Sequence, residues 1–141
     1  MPELLNPFLQ ITDLSKTYLE GGTRRIILDQ ARLDVSKGQF LAILGKSGSG
    51  KTTLLKLISG IDDAYSGTIC LAGVSLTDMN ESDRTMFRRK QVGFVFQFFN
   101  LIPTLTVWEN ILLPLDLNGL TANGGRQRAE DLLAEVGLSS R

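Results

Sequence analysis

The chain has 141 residues, with 15 Lys plus Arg against 15 Asp plus Glu and a formal net charge of zero. That length suits one domain with a real core, and the balanced charge lacks the basic excess of a nucleic-acid footprint. The absence of histidine removes histidine bases and histidine metal ligands, and a single cysteine, Cys70, excludes an intrachain disulfide and suits a reducing compartment.

Met1 to Gln10 lacks the basic start and apolar stretch of a signal peptide, and no segment approaches 18 continuous apolar residues. Phe8 to Leu14 alternates loosely and reads as a strand, followed by a turn at Glu20-Gly21-Gly22-Thr23. Ile26 to Leu28 and Ala31 to Val35 read as two further strands, with Ser36-Lys37-Gly38 as the next turn. The apolar run Phe40 to Leu44 reads as a buried strand, and Thr53 to Ile58 as a helix that Gly60 ends. Gly67 to Leu71 is a strand in which Cys70 is expected to be a buried packing residue.

Asn80 or Ser82 caps a helix running to about Lys90. Its basic end, Arg88-Arg89-Lys90, is favourable at a helix C-terminus and reads as a solvated end rather than a binding patch. Val92 to Phe96 suits a buried parallel strand. Thr106-Val107-Trp108-Glu109 spells a capping box and opens a helix that Pro114 kinks or ends. Ala129, Leu132, Leu133 and Val136 form one apolar helical face, stopped by Gly137. Early strands followed by alternating strands and helices predict an α/β fold, with a largely parallel sheet and an antiparallel portion beside it.

Gly45-Lys46-Ser47-Gly48-Ser49-Gly50-Lys51-Thr52 fits the phosphate-loop pattern G-x-x-x-x-G-K-[ST] without a mismatch. Gly45, Gly48 and Gly50 allow positive φ, so the backbone can wrap an anion with inward N–H groups. The following helix adds its positive N-terminal end. Lys51 supplies a point charge for the terminal phosphates, and the Thr52 hydroxyl is the expected Mg²⁺ ligand, with phosphate and water oxygens completing the shell. The competing reading is a glycine-rich turn with a chance Lys-Thr. Average glycine usage makes such a match in a chain this short an event on the order of one in a hundred. Taken alone, the loop fits many nucleoside triphosphatases.

The segment Gly93 to Ile111, running through Gln97-Phe98-Phe99-Asn100-Leu101-Ile102-Pro103, resembles the glutamine loop of ABC transporter ATP-binding subunits. The resemblance is greatest to the subgroup serving lipoprotein release and macrolide export. Leu14-Ser15-Lys16-Thr17-Tyr18 is similar to that family's N-terminal aromatic loop, and Ile58 to Asp62 and Ser66 to Ile69 to its link after the first helix. The resemblance implies a phosphate-loop ATPase fold that binds ATP with Mg²⁺. The implied nucleotide-binding residues are Tyr18, Gly45, Lys46, Ser47, Gly48, Ser49, Gly50, Lys51, Thr52 and Thr53, with Tyr18 stacked on adenine. Gln97 is implied to contact Mg²⁺ or the attacking water, as catalytic and metal-contacting residue together with the Thr52 ligand. The Gln97–Pro103 region is implied to grip a transmembrane permease subunit, and a second ATP-binding subunit to pair with this one on the inner face of the cell membrane. A strand-end tyrosine and a polar strand-closing glutamine are the plainer readings of Tyr18 and Gln97. Trp108 reads as a packing residue.

Residues 1–141 do not contain the family's Leu-Ser-Gly-Gly-Gln signature, its hydrophobic strand ending in Asp-Glu or its switch histidine. Leu115-Asp116 imitates an acidic strand end, but Pro114 argues against a central strand there. The chain thus reads as the N-terminal part of such a domain, able to bind MgATP weakly and to hydrolyse it little. A non-catalytic nucleotide-binding or regulatory interaction fragment is the alternative. A GTPase would carry Asn-Lys-x-Asp, which does not occur here.

Overall fold

The computed structural model describes residues 7–64 and 66–138. It divides into two compact units, Met1–Val92 and Gly93–Arg141.

The first unit is built on β1 (Leu9–Glu20), β2 (Thr23–Val35), β3 (Ser66–Leu71) and β4 (Val74–Ser75). They form one antiparallel sheet in the order β2-β1-β3-β4. Leu9 and Ile11 of β1 reach the core by simple alternation. The register then slips around Asp13 against both neighbouring strands. Asp13 has φ 50°. The extra residue of this bulge moves the inward set to Leu14 and Lys16, both buried. β3 accommodates it with Gly67, at φ 90°: a Cβ there would lie 2.6 Å from the Asp13 carbonyl carbon and from Leu14 Cα. A second slip falls at Gln30, φ 46°, whose amide donates to Ser15 Oγ at 3.0 Å. The two strands expected at Ile26 to Leu28 and Ala31 to Val35 are therefore one strand, because the break in alternation at Asp29-Gln30, and a further slip at Ile27, are absorbed without leaving the ladder.

Helix α1 (Lys51–Ile58) adds Leu57 to the core of Leu9, Ile11, Leu14, Ile69, Leu71 and Leu76. Helix α2 (Glu81–Gln91) is capped by Asn80, whose Oδ1 accepts from the Asp83 amide at 2.9 Å; Ser82 lies inside its first turn. Arg84 pairs with Glu81 at 2.8 Å and with Asp63, and Arg88 donates to the Gly60 carbonyl at 2.6 Å. The basic end of α2 is thus only partly a solvated end: its first arginine is bonded to the turn after α1. Cys70 is half-buried rather than buried, because alternation turns it away from the face that carries Ile69 and Leu71.

Two expected strands are absent. Phe40 to Leu44 and Val92 to Phe96 run as irregular chain, with Phe40 93%, Leu44 90% and Val95 97% exposed. A buried parallel strand needs ladder partners on both sides. The strands of the described residues are engaged in the antiparallel sheet. The α/β class holds, and the described sheet is its antiparallel portion.

The second unit contains α3 (Val107–Leu117), a π-helical turn (Thr121–Gly125) and α4 (Arg126–Glu135), with α3 touching both. The capping box is formed: Thr106 Oγ1 accepts from the Glu109 amide at 3.2 Å, and Glu109 accepts from the Thr106 amide at 2.8 Å. The Glu109 carboxylate also accepts from the Thr106 hydroxyl at 2.8 Å. The bond from the backbone amide first, and then the one from the hydroxyl, hold the Glu109 carboxyl below the usual range. Pro114 sits inside α3, which continues to Leu117. Asp116 is a helical residue whose carboxylate accepts from the Thr121 hydroxyl. Trp108 is half-buried. On α4 only Ala129 of the expected apolar face is buried, with Leu132 42% and Val136 67% exposed.

Candidate nucleotide site

The loop from Gly45 to Gly50 leads directly into α1, with Lys51 as the first helical residue. Gly48 and Gly50 take left-handed conformations, φ 78° and 89°. Gly45 does not, contrary to expectation; a Cβ there would come close only to Ser49 Oγ, at 2.8 Å, the end of a side chain that can turn away. Gly50 is backed by β2: a Cβ on it would lie 3.1 Å from both Ile27 Cγ2 and the Ile27 carbonyl oxygen. No side chain caps the start of α1, so its first-turn amides are donors available to an anion. The Lys51 ammonium donates to the carbonyls of Gly45 at 2.9 Å and Lys46 at 2.7 Å, with Ser49 Oγ at 3.4 Å. Lys46, Ser47, Ser49 and Thr52 are exposed, while Thr53 is half-buried.

Tyr18 stands on β1, two residues beyond Lys16 and on the same strand face. Its hydroxyl donates to Asp62 Oδ2 at 2.6 Å. The Lys16 ammonium bonds Asp62 Oδ1 at 2.6 Å and the Asp63 carbonyl at 2.5 Å, and lies over the Tyr18 ring, 5.0 Å from its centroid. The phenol pKa is raised, first by the bond to Asp62 and then by burial, with a bond from the Thr53 hydroxyl opposing. Burial pushes the Asp62 carboxyl up, but the bonds from Lys16 and Tyr18 outweigh it, and its pKa is lowered. The first unit thus brings the aromatic ring, the start of α1 and the turn after α1 into one network. Lys16 and Asp62 were not legible as site residues. Simple alternation from Leu9 and Ile11 would turn Lys16 outward, and only the bulge at Asp13 brings it in, so the sequence carried no signal for it.

Gln97 belongs to the second unit, exposed in irregular chain. Phe98, Phe99 and Leu101 beside it are 75%, 91% and 61% exposed. The end of this apolar segment is held by Asn110 of α3, another residue the sequence did not flag. Its Oδ1 accepts from the Ile102 amide at 2.8 Å, and its Nδ2 donates to the carbonyls of Ile102, Leu105 and Thr106 at 3.2, 3.1 and 2.9 Å.

The described residues contain no cluster of three or more His, Cys, Asp or Glu that could cage a metal. An exposed hydroxyl such as that of Thr52 suits an ion that keeps most of its water and phosphate oxygens, which is the habit of Mg²⁺. No helix of the described residues is long and apolar enough to cross a membrane.

The ABC transporter family profile matches residues 28–141. An ABC transporter ATP-binding protein of Mycobacterium tuberculosis, Rv0986, is 52% identical over 135 residues, covering 96% of this chain and 54% of the relative. The lipoprotein-releasing system ATP-binding protein LolD of Alcanivorax borkumensis is 40% identical, covering 96% of this chain and 59% of LolD. Among solved structures, the dimeric post-hydrolysis state of the ATP-binding cassette MJ0796, bound to ADP and Pi, is similar with a TM-score of 0.83. It is 35% identical, with 89% of this chain and 56% of that one covered. The chain therefore spans somewhat more than half the length of the relatives it matches.

Proposed function

From the premise that this chain belongs to the ABC transporter family of ATP-binding domains, we propose that residues 1–141 carry the part of the subunit that binds MgATP. The observation supporting this is the loop itself. Two left-handed glycines lead into an uncapped helix whose first residue is Lys51. The first-turn amides and the Lys51 ammonium grip the phosphates. The Tyr18 ring stacks on adenine, which needs a flat face and few hydrogen bonds. Thr52 lends its hydroxyl to Mg²⁺, which neutralises phosphate charge when bound. Gln97 orients the attacking water, a positioning role suited to phosphoryl transfer.

Cleavage also needs the water held in line and the γ-phosphate charge stabilised. The signature, the acidic strand end and the switch histidine that serve this in the family do not occur in residues 1–141. A polypeptide of these residues alone binds MgATP weakly and hydrolyses little of it. In the whole protein we place the subunit on the inner face of the cell membrane, paired with a second ATP-binding subunit. The exposed apolar residues after Gln97 contact a transmembrane permease there, as exposed apolar patches often do. The likeness to LolD favours export or extraction of lipoprotein as the work driven.

The test is thermal unfolding with MgATP, with MgGTP as comparison. A ligand at a hundredfold excess over Kd stabilises by about 2.7 kcal/mol. A clear shift with the parent and none with Lys51→Ala is the expected result. Equal shifts for the two would remove the loop as the site.

A further inference from the structure

We propose that Asp62, itself fixed by Lys16, is a positioning residue for the base: it sets the plane of the Tyr18 ring through the phenol hydroxyl. This rests on the reading that Tyr18 stacks on adenine. The geometry is a chain of short bonds. Asp62 Oδ2 accepts from the Tyr18 hydroxyl at 2.6 Å while Asp62 Oδ1 accepts from Lys16 at 2.6 Å. Lys16 is in turn tied to the Asp63 carbonyl at 2.5 Å. A phenol donating to a carboxylate makes one of the stronger hydrogen bonds available to a side chain. Asp62 follows α1 by a few residues, after a turn closed by Ile61 and Asp62 amides donating to the Lys56 carbonyl at 2.9 and 3.3 Å. The ring of Tyr18 is thereby referenced to the same helix whose N-terminus faces the phosphates.

Two further features make the device directional. The bulge at Asp13 puts Lys16 and Tyr18 on the inward side of β1, so the lysine is buried and its partners are fixed. The Lys16 ammonium also lies over the Tyr18 ring at 5.0 Å, which occupies one face of the aromatic and favours stacking on the other. A free tyrosine side chain loses rotamer entropy when a base stacks on it. One already held at its hydroxyl has lost that freedom on folding, and the base binds more tightly for it.

The test compares ATP with inorganic tripolyphosphate by calorimetry, in the intact protein and in Tyr18→Ala, Tyr18→Phe, Asp62→Ala, Asp62→Asn and Tyr18→Phe/Asp62→Ala. Tyr18→Ala tests the stacking reading itself. It should weaken ATP and leave tripolyphosphate unchanged. Tyr18→Phe keeps the ring and the Lys16–Asp62 pair but loses the hydroxyl. It should weaken ATP about three- to tenfold with tripolyphosphate unchanged. Asp62→Ala should match it, the double variant should be no worse than Tyr18→Phe, and Asp62→Asn, which still accepts a bond, should restore most of the affinity. If Tyr18→Ala binds ATP like the parent, stacking fails and the inference with it. If Tyr18→Ala weakens ATP but Tyr18→Phe does not, stacking stands and the positioning role is overturned. Equal loss of ATP and tripolyphosphate in Asp62→Ala, or multiplied losses in the double variant, also overturns it. Should Asp62→Ala fail to fold, Tyr18→Phe and Asp62→Asn decide the matter alone.

Discussion

The Lys51 ammonium rests on the Gly45 and Lys46 carbonyls, so Lys51→Ala removes loop bonds as well as a phosphate charge. It should raise amide exchange across 46–50 while the unliganded melting temperature moves little, since the side chain adds nothing to the core. Gln97→Ala should leave MgATP binding intact and lower turnover in a chain that includes the signature and acidic strand. Unchanged turnover there would take Gln97 out of the mechanism. The Lys16–Asp62–Tyr18 network has a pH window whose two edges follow from its shifts. The lowered Asp62 pKa contributes stability at and above the ordinary carboxylate range, lost as pH falls through the folded value below it. The raised Tyr18 pKa contributes stability below its ordinary value of about 10, lost as pH rises through the folded value above it. Melting temperature followed against pH should show both limbs, and Asp62→Asn should flatten both.

Single elements are where the sequence was most readable. Asn80 and the Thr106–Glu109 pair announced their caps because a cap is a local contract between a side chain and amides three residues on. Thr106→Ala should cost about 1 kcal/mol in urea unfolding. The bulge in β1 was not readable. Asp13 and Gln30 are ordinary residues for a strand end or turn, and the left-handed φ each adopts is set by the neighbouring strand. Gly67→Ala tests this: its Cβ would press on the Asp13 backbone, which cannot yield like a side chain. A loss of about 1–3 kcal/mol is expected from such overpacking, with weaker amide protection at Asp13 to Tyr18. An unchanged stability would mean the bulge relaxes freely.

Across the whole molecule, the exposed side chains of Phe40, Leu44, Val95 and Phe99 are the salient feature. Large apolar side chains at 90% exposure or more favour association with anything that covers them. A polypeptide of residues 1–141 alone should self-associate with concentration in sedimentation velocity, and Phe40→Ser with Val95→Ser should reduce it. A monomer at all concentrations would contradict this expectation. Phe40 to Leu44 and Val92 to Phe96 are apolar enough to be read as buried strands. Apolarity reports what a segment can bury, whereas a ladder also needs neighbours, and these runs have none among the described residues.

The sequence by itself determined the phosphate loop, the helix caps, the first antiparallel strands and the family resemblance. Each of these is written in residues near one another or in a motif of fixed spacing. Only the tertiary structure decided that position 67 must be glycine to lie against the Asp13 backbone, that Lys16 is buried, and that Asp62 meets Tyr18 across 44 residues of chain. Those outcomes depend on strand register and on how closely two backbones approach. A one-residue bulge reverses which side chains face inward, and nothing local in the sequence marks it.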